Sequence, residues 1–319
     1  MTGGKPKVVV LGSIYVDMAI RCQDFPDSAE LVPGSRFSCI PTGSGINQAI
    51  QAALCGCQVT LVGKVGNDPF GQMVIDNLRD FGINCDFIFE AEAKNTGVTL
   101  SFVNSAGSNR TVVSEGANRA LIPADIKSDK FEELLSSANI CLVNGKLPPD
   151  FVSAAIRAAK LSNKKVILDP ALPSGEFQRQ SVSLPPDYYT ADILVPNFVE
   201  AAEIINPQNH NIHNAKLIGA DLIARGVGCA VIKLGRRGAL VIDKDGADHI
   251  PPFEVNVIDR TGCGDAFDGA LAASCAVGDD IRKAVKFASA AGALACSKFG
   301  SQESLPKKEE IIELLQDLP

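Results

Sequence analysis

Short β-branched runs alternate with amphipathic stretches along almost the whole chain, and this alternation narrows the possible folds more than any other feature. Val8-Val9-Val10-Leu11 has the make-up of a buried strand, as do 59–62, 140–143, 166–168, 193–195 and 230–234. Between them, apolar residues recur at three- and four-residue spacing over 46–55, 70–81, 150–161, 198–205 and 215–225, which predicts helices. Strands joined through helices run parallel by right-handed crossovers, which place helices on both faces of the sheet. The expected fold class is therefore α/β, a sandwich around a mostly parallel sheet. The last third closes on helical stretches at 265–277, 279–297 and 307–318.

Two segments break the alternation. Residues about 14–42 and 96–115 carry strand-like runs such as Val98-Thr99-Leu100-Ser101-Phe102-Val103, with no helix among them. A complete α/β stretch lies between the two. The economical arrangement is a small β-rich lid that leaves the main sheet twice and covers one of its ends; a pair of surface hairpins is the plainer alternative. With no internal repeat and no low-complexity tract, residues 1–319 read as one α/β domain bearing this lid.

Thirty basic residues against thirty-seven acidic ones give a net charge of −7. That balance speaks against a nucleic-acid binder held by phosphate contacts. It leaves nucleotide binding open, because a few backbone amides and one metal ion can neutralise the phosphates of a small molecule. The ten cysteines are scattered from Cys22 to Cys296 without a Cys-x-x-Cys. A chain this long buries enough surface without covalent staples, so the expectation is reduced cysteines packed as small hydrophobes. No stretch has the length and apolar character of a signal peptide or a membrane span, and a cytoplasmic protein is expected.

The most informative stretch is Asp259-Arg260-Thr261-Gly262-Cys263-Gly264-Asp265-Ala266-Phe267. Its glycines allow a tight turn, and the free amides of the helical turn that follows make an anion site reinforced by the helix dipole. Asp265 inside such a turn can accept a proton from an attacking hydroxyl while the amides stabilise a transferring phosphoryl group. A plain helix cap is an equally good reading of Asp265 alone. A second glycine-rich turn, Thr42-Gly43-Ser44-Gly45-Ile46-Asn47-Gln48, suits close approach to a ligand, although an ordinary helix start explains it as well. Gln48 stands where a dinucleotide fingerprint needs its third glycine, and no Gly-Lys-Ser/Thr P-loop exists. Asp17, just past the first strand, falls at the carboxyl edge of a parallel sheet, where open α/β folds bind ligands. His210, His213 and His249 lack zinc spacing and an acidic partner, and read as surface residues.

Taken together these features resemble the PfkB, or ribokinase-like, carbohydrate kinases, over nearly the full chain. Gly12-Ser13-x-x-x-Asp17, Gly43-x-Gly45-x-Asn47, Gly63-x-x-Gly66-x-Asp68-x-x-Gly71, Pro196-Asn197-x-x-Glu200, Leu234-Gly235-x-x-Gly238 and Gly262-x-Gly264-Asp265 occur in the family's order. Within the family, Val10-Leu11-Gly12-Ser13-Ile14 and Glu115-Gly116-Ala117-Asn118 are most similar to the ribokinase branch.

The resemblance implies a ribokinase-like three-layer sandwich and ATP-dependent transfer to a sugar's primary hydroxyl, with D-ribose the favoured acceptor. It implies Asp265 as base, with the amides of Gly262, Cys263 and Gly264 as anion hole. Asp17, Gly43, Ser44, Asn47 and Lys146 would face the sugar. Asn197 and Glu200 would organise the phosphates and the water shell of Mg²⁺, and Lys233, Gly235 and Gly238 would lie along ATP. A K⁺ loop would map onto Asp259, Thr261, Ala295, Lys298, Gly300 and Ser304. The lid would close over the sugar and pair with a second lid in a homodimer.

Departures from the family's pattern bear on the substrate. Ser44 stands where ribokinases usually carry lysine, and Lys146 falls where they usually present a glutamate. Lys146 either restores the missing cation from the other side or marks a pocket for a different or acidic sugar. Arg260 and Lys233 replace residues that are commonly threonine, with either altered nucleotide contacts or solvent exposure as the result. Another sugar, a sugar acid, a nucleoside, or a binding protein without activity are the remaining readings.

Overall fold

A computed structural model describes residues 4–27, 30–172, 183–205 and 212–316. The strands of the N-terminal half are β1 (Lys7–Leu11), β2 (Tyr15–Cys22), β3 (Gly34–Thr42), β4 (Gln58–Gly66), β5 (Asn84–Ala91), β6 (Gly97–Val103) and β7 (Asn109–Ser114). Those that follow are β8 (Ile140–Asn144), β9 (Lys165–Asp169), β10 (Ile193–Leu194), β11 (Ala230–Lys233), β12 (Ala239–Asp243) and β13 (Gly246–Ile250). The helices are α1 (Ser44–Leu54), α2 (Pro69–Asp80), α3 (Asp129–Ser137), α4 (Pro149–Leu161), α5 (Phe198–Ile205), α6 (Ala215–Ala224), α7 (Cys263–Ala276), α8 (Ile281–Cys296) and α9 (Lys308–Gln316).

The strands form two sheets. The larger has the order β13-β12-β11-β10-β9-β8-β1-β4-β5 and is parallel from β11 through β5. Its β11-β12-β13 edge is an antiparallel meander. Inside β1 the side chains alternate between two cores. Val8 and Val10 join the cluster beneath α1, α7 and α8, with Ile46, Ile50 and Leu271. Val9 and Leu11 join the opposite cluster, with Phe131 of α3 and Phe151 and Ile156 of α4. Each such fully buried aliphatic or aromatic side chain contributes roughly 1.5–3 kcal/mol. A continuous apolar run is what a strand covered on both faces requires, and the three-layer sandwich expected from the alternation is the one observed.

The second sheet has the order β3-β2-β6-β7 and is built from the two segments that interrupt the α/β alternation. β2 pairs with β3 antiparallel and with β6 parallel, and β6 pairs with β7 antiparallel. Tyr15 sits opposite both Thr42 and Gly97, so the two segments meet along β2.

Close backbone contact positions α1 over the end of β1. A side chain on Gly45 would start 2.4 Å from the carbonyl carbon of Gly12, and one on Gly43, whose φ is 114°, would start 2.5 Å from the Ser13 oxygen. Neither position has room for a Cβ. The glycines of the 42–48 turn therefore serve helix-to-strand approach as well as the turn itself. Helix α1 ends at Leu54, one residue before the end expected for it, and Cys55 caps it.

Candidate active site

The parallel strands of the main sheet deliver polar residues at their carboxyl ends. Asn144 ends β8, Asp169 ends β9 and Lys233 ends β11, while Asn197 lies between β10 and α5 and bridges Lys233. A cleft of about 1500 Å³ opens beside them, lined by Ser44, Lys146, Asp169, Glu200, Lys233 and Asp265 among others. The volume exceeds the roughly 300–1,000 Å³ of a single small-molecule pocket.

Asp265 is the third residue of α7. The helix is capped by Gly262 in the left-handed region (φ 75°), with no side-chain cap hydrogen bond. The Asp265 carboxylate is therefore not spent on capping. Asn47 Nδ2 donates to its Oδ2 at 2.9 Å, and Gln48 Nε2 donates to Oδ1 at 3.3 Å. Burial raises the Asp265 carboxyl above the ordinary range; the Asn47 bond and the Lys146 charge oppose this, and the Asp169 charge adds to it. Cys263 N–H turns back to the Arg260 carbonyl at 3.4 Å, and the first intrahelical bond is Ala266 N–H to Gly262 O at 2.8 Å. The amides of Gly264 and Asp265 are left without an intrahelical acceptor. A carboxylate of raised basicity beside outward amides can take a proton and stabilise an anion in one place.

Lys233 enters the site from the other side. Its Nζ lies 2.9 and 3.1 Å from the two oxygens of Asp268, which is wholly buried one turn beyond Asp265. Burial works against the Lys233 charge, but Asp268, Asp169 and Glu200 more than offset it and hold the ammonium protonated. Lys233 therefore points into the cleft. Arg260, its companion departure from the family, is exposed and also lines the cleft. A side chain on Gly264 would begin 3.9 Å from Lys233 Nζ.

Asn197 and Glu200 form a reciprocal capping box at α5: Asn197 N–H donates to Glu200 Oε2 at 2.8 Å, and Glu200 N–H donates to Asn197 Oδ1 at 3.0 Å. Both still line the cleft. Burial and the neighbouring Asp169 push the Glu200 carboxyl up to about 7 against the pull of Lys233. Hard oxygen donors that face a phosphate-sized space and leave room for water are what Mg²⁺ favours, so Asn197 and Glu200 fit that ion. Gly235 (φ 59°) and Gly238 (φ 84°) turn the β11–β12 connection and line the same cleft.

Lys146 Nζ donates to Ser44 Oγ at 3.3 Å, so the replacing lysine touches the residue that stands in the lost lysine's place. Asp17 corrects a sequence expectation. It belongs to β2 of the second sheet, where it accepts from Thr99 Oγ1 and from Ser101 Oγ at 3.0 Å, and it is not among the residues lining the cleft.

Of the residues mapped to a cation loop, Asp259, Thr261 and Gly300 are joined by hydrogen bonds. Asp259 accepts from Thr261 N–H, Thr261 Oγ1 and Gly300 N–H, which hold its carboxyl below the ordinary range despite partial burial. The Ala295 carbonyl accepts from Lys298 N–H at 3.3 Å, and Ser304 Oγ donates to Ser301 O at 3.0 Å. Lys298 Nζ is engaged by Glu310 at 2.6 Å, so only its backbone could serve. Among the described residues no cluster of three or more His, Cys, Asp or Glu side chains could hold a metal.

One expectation is overturned. Cys263, the first residue of α7, and Cys296, the last of α8, form a disulfide with Cα atoms 5.7 Å apart. That separation lies within the range disulfides span. The remaining eight cysteines are free. Packing of α7 on α8 brings together residues 33 apart in sequence, a juxtaposition no local spacing reveals. His249 is exposed on β13, with Nε2 2.7 Å from the Arg237 carbonyl, and His210 lies outside the described residues.

Sequence reasoning missed Gln48, Asn144, Asp169 and Asp268. Asp268 had a visible signal, since an acid inside Ala266-Phe267-Asp268-Gly269-Ala270-Leu271 lies on an otherwise apolar helix. The others are ordinary polar residues until the strand ends are brought together.

With fold and site in view, the comparisons with known proteins agree. Residues 5–308 match the model of the pfkB family carbohydrate kinases, and the chain belongs to that family. Its activity is accordingly that of a sugar kinase. It is similar to the ribokinase of Bacillus subtilis (30% identical over 312 residues, covering 97% of this chain and 99% of the relative). It also resembles the deoxyribokinase of Salmonella typhi, at 29% identity over 308 residues, 97% of this chain and 98% of the relative. Among solved structures, an Arabidopsis thaliana ribokinase complexed with ribose and ATP superposes with a TM-score of 0.89, at 25% identity and over 98% and 99% of the two chains.

Proposed function

We propose that this protein is an ATP-dependent ribokinase that transfers the γ-phosphate to the primary hydroxyl of D-ribose, giving ribose 5-phosphate. The observation that carries the reading is Asp265, held by Asn47 beside the unpaired amides at the start of α7 and at the wall of the cleft. In this reading Asp265 takes the hydroxyl proton as the oxygen attacks, and the turn from Gly262 through Cys263 presents the free amides of Gly264 and Asp265 to the charge of the transferring group. Lys146 and Lys233 add positive charge on either side. Gly235 and Gly238 let the chain run close along the nucleotide. Asn197 and Glu200 would hold Mg²⁺, which when bound would neutralise charge on the phosphates.

Asp17, Gly43, Ser44, Asn47 and Lys146 hold the sugar, with Asp17 delivered by the second sheet acting as lid over a single kinase domain, 1–319. Asp17 already satisfies hydroxyl donors from Thr99 and Ser101, so a sugar hydroxyl is the kind of group it accepts. β7 is exposed along its length, and Leu100, Phe102, Val112 and Val113 are apolar and exposed on the same sheet. Pairing with a second lid in a homodimer would cover them. Backbone carbonyls around Asp259 are the place for K⁺. No helix among the described residues is long and apolar enough to cross a membrane, and a cytoplasmic site of action fits a kinase that draws on ATP.

The contact of Lys146 with Ser44 favours a cation restored to the ribokinase pocket. A pocket for an acidic sugar is the second reading, favoured by a Lys146 that is exposed and lines the cleft. The test is ADP release with Mg-ATP across D-ribose, deoxyribose, other pentoses, hexoses, sugar acids and nucleosides. Ribose as the best acceptor supports the proposal, preference for a sugar acid selects the second reading, and binding without ADP release refutes both.

A further inference from the structure

Asp265 is held by consecutive residues of one helix. Asn47 Nδ2 donates to Oδ2 at 2.9 Å, and Gln48 Nε2 donates to Oδ1 at 3.3 Å. The same Gln48 nitrogen donates to Asp169 Oδ2 at 3.1 Å. Asp169 in turn accepts from Asn144 Nδ2 at 2.9 Å and from Ala171 N–H at 3.2 Å. A continuous chain of hydrogen bonds thus runs from the end of β8, through the end of β9, to the start of α7. Gln48 is the link that spans the two carboxylates.

The orientation of that amide is informative. Gln48 is wholly buried, and its Oε1 has no hydrogen-bond partner among the described residues. Turning the amide over would aim oxygen lone pairs at two carboxylates, so the nitrogen must face them. An unpaired buried acceptor costs free energy. A glutamine present only to fill the core is replaceable by an apolar side chain without that cost. The backbone fixes the geometry further: a side chain on Gly269 would start 2.5 Å from the Gln48 carbonyl oxygen, so α1 and α7 touch one turn from Asp265.

We propose that Gln48 is a positioning residue for phosphoryl transfer, its two N–H groups keeping the Asp265 carboxylate oriented and ionised beside Asp169. Burial raises the Asp265 carboxyl and the Asp169 charge adds to it, while the Asn47 bond and the Lys146 and Lys233 charges favour the charged form. Gln48 supplies a donor at the point where the two acids approach each other. The inference rests on Asp265 being the base.

The test is a pH–rate series for Gln48→Met and Gln48→Glu beside wild type. Gln48→Met is expected to lower kcat at neutral pH by about tenfold and to move the acid limb of kcat/KM up by about one pH unit. The sugar KM is expected to change by less than about twofold, because the uniform binding of the sugar is untouched. Gln48→Glu, which adds a third carboxyl, is expected to move the limb further in the same direction. An unmoved limb in a folded variant overturns the inference, as does a loss confined to KM. A measurement on unmodified Gln48 guards against variants that fail to fold. In an NMR pH titration, a Gln48 side-chain amide proton is expected to shift with the midpoint of the acid limb, and the shift is expected to vanish in Asp265→Asn. An amide proton that ignores Asp265 overturns it. Absence of turnover by wild type with every sugar would sink the kinase reading instead, and the NMR titration would still judge the Gln48–Asp265 link.

Discussion

Asn47 and Asp265 lie 218 residues apart in sequence, yet a 2.9 Å hydrogen bond joins them at the starts of two helices. The bond orients the carboxylate and opposes the rise in its pKa that burial causes. Both helices begin at a glycine, so the pair sits where two sets of turns bring backbone and side chains together.

Asp265→Asn keeps the shape and the contact with Asn47 but removes the proton acceptor. Turnover is expected to fall by about 10²–10⁴-fold. ATP affinity by calorimetry is expected to stay within about threefold, since the amides and Lys233 are unchanged. Residual turnover within tenfold of wild type would remove Asp265 from the role of base.

Lys233 and Asp268 form a pair whose side chains are 17% and 1% exposed. Asp268→Leu strands the Lys233 ammonium and is expected to cost about 3–5 kcal/mol in urea unfolding. The double variant Lys233→Met, Asp268→Leu is expected to recover most of that loss while binding ATP more weakly. Equal destabilisation of single and double variants would contradict the coupling.

Lys146→Ala is expected to reduce kcat/KM for the sugar by about 10–100-fold, the range of a lost hydrogen bond to a charged group. If Lys146 replaces the family's lysine, adding Ser44→Lys to that variant restores part of the loss. Failure of the second change to restore activity, with selective loss of sugar acids as substrates, would favour the acidic pocket.

Asp68 caps α2 through Gly71 N–H at 2.9 Å and accepts from Thr96 N–H and Thr96 Oγ1 at 2.8 Å each. Burial pushes its carboxyl up, but these bonds and one from Asn95 outweigh it and hold the group below the ordinary range. A pKa lowered by folding gives stability that is present above the unfolded value of about 4 and is lost as pH falls through the folded value. Asp68→Ala is expected to cost about 1–2 kcal/mol at pH 7. That deficit should narrow at pH 3, as measured by urea unfolding at both values. A deficit that is the same at both would show that charge plays no part.

The disulfide is countable. Alkylation of denatured, unreduced protein is expected to label eight cysteines, and all ten after reduction. In the native state labelling should be slow at Cys55, Cys141, Cys229 and Cys275, whose thiols burial pushes up to about 12. Ten labels without reductant would disprove the Cys263–Cys296 bond.

The strands at 8–11, 140–143 and 166–168 and the helix at 198–205 were legible because one residue pattern and one burial pattern coincide there. The two lid segments were legible because they carry strand-like runs with no helix among them, which breaks the strand–helix alternation of the main sheet. β5, α3 and the β12–β13 meander escaped, because edge strands and half-exposed helices carry weaker periodicity. Asp265, Asn47 and Lys233 were found through glycine turns and motif order, and the structure brings all three to one place. Asp169 and Gln48 were not, since their importance lies in hydrogen bonds across 121 and 217 residues of chain. Asp17 falls within the first lid segment, but its nearness to the first strand in sequence suggested the carboxyl edge of the main sheet, whereas β2 carries it into the second sheet.

The second sheet also has an order of assembly written into it. Its β2 and β6 strands pair in parallel across 82 positions, with β4, α2 and β5 between them. An isolated β2–β3 hairpin is only marginally stable in water. On a growing chain it must wait for β6, and β6 is delivered to it by the β1–β4–β5 part of the main sheet. The second sheet therefore depends on the layer below it for the strand that joins its two segments. A nick or insertion within 58–91 would break that link, and because Val59, Leu61 and Val65 share a core with Ala266 and Leu271, it would reach the helix that carries Asp265 as well.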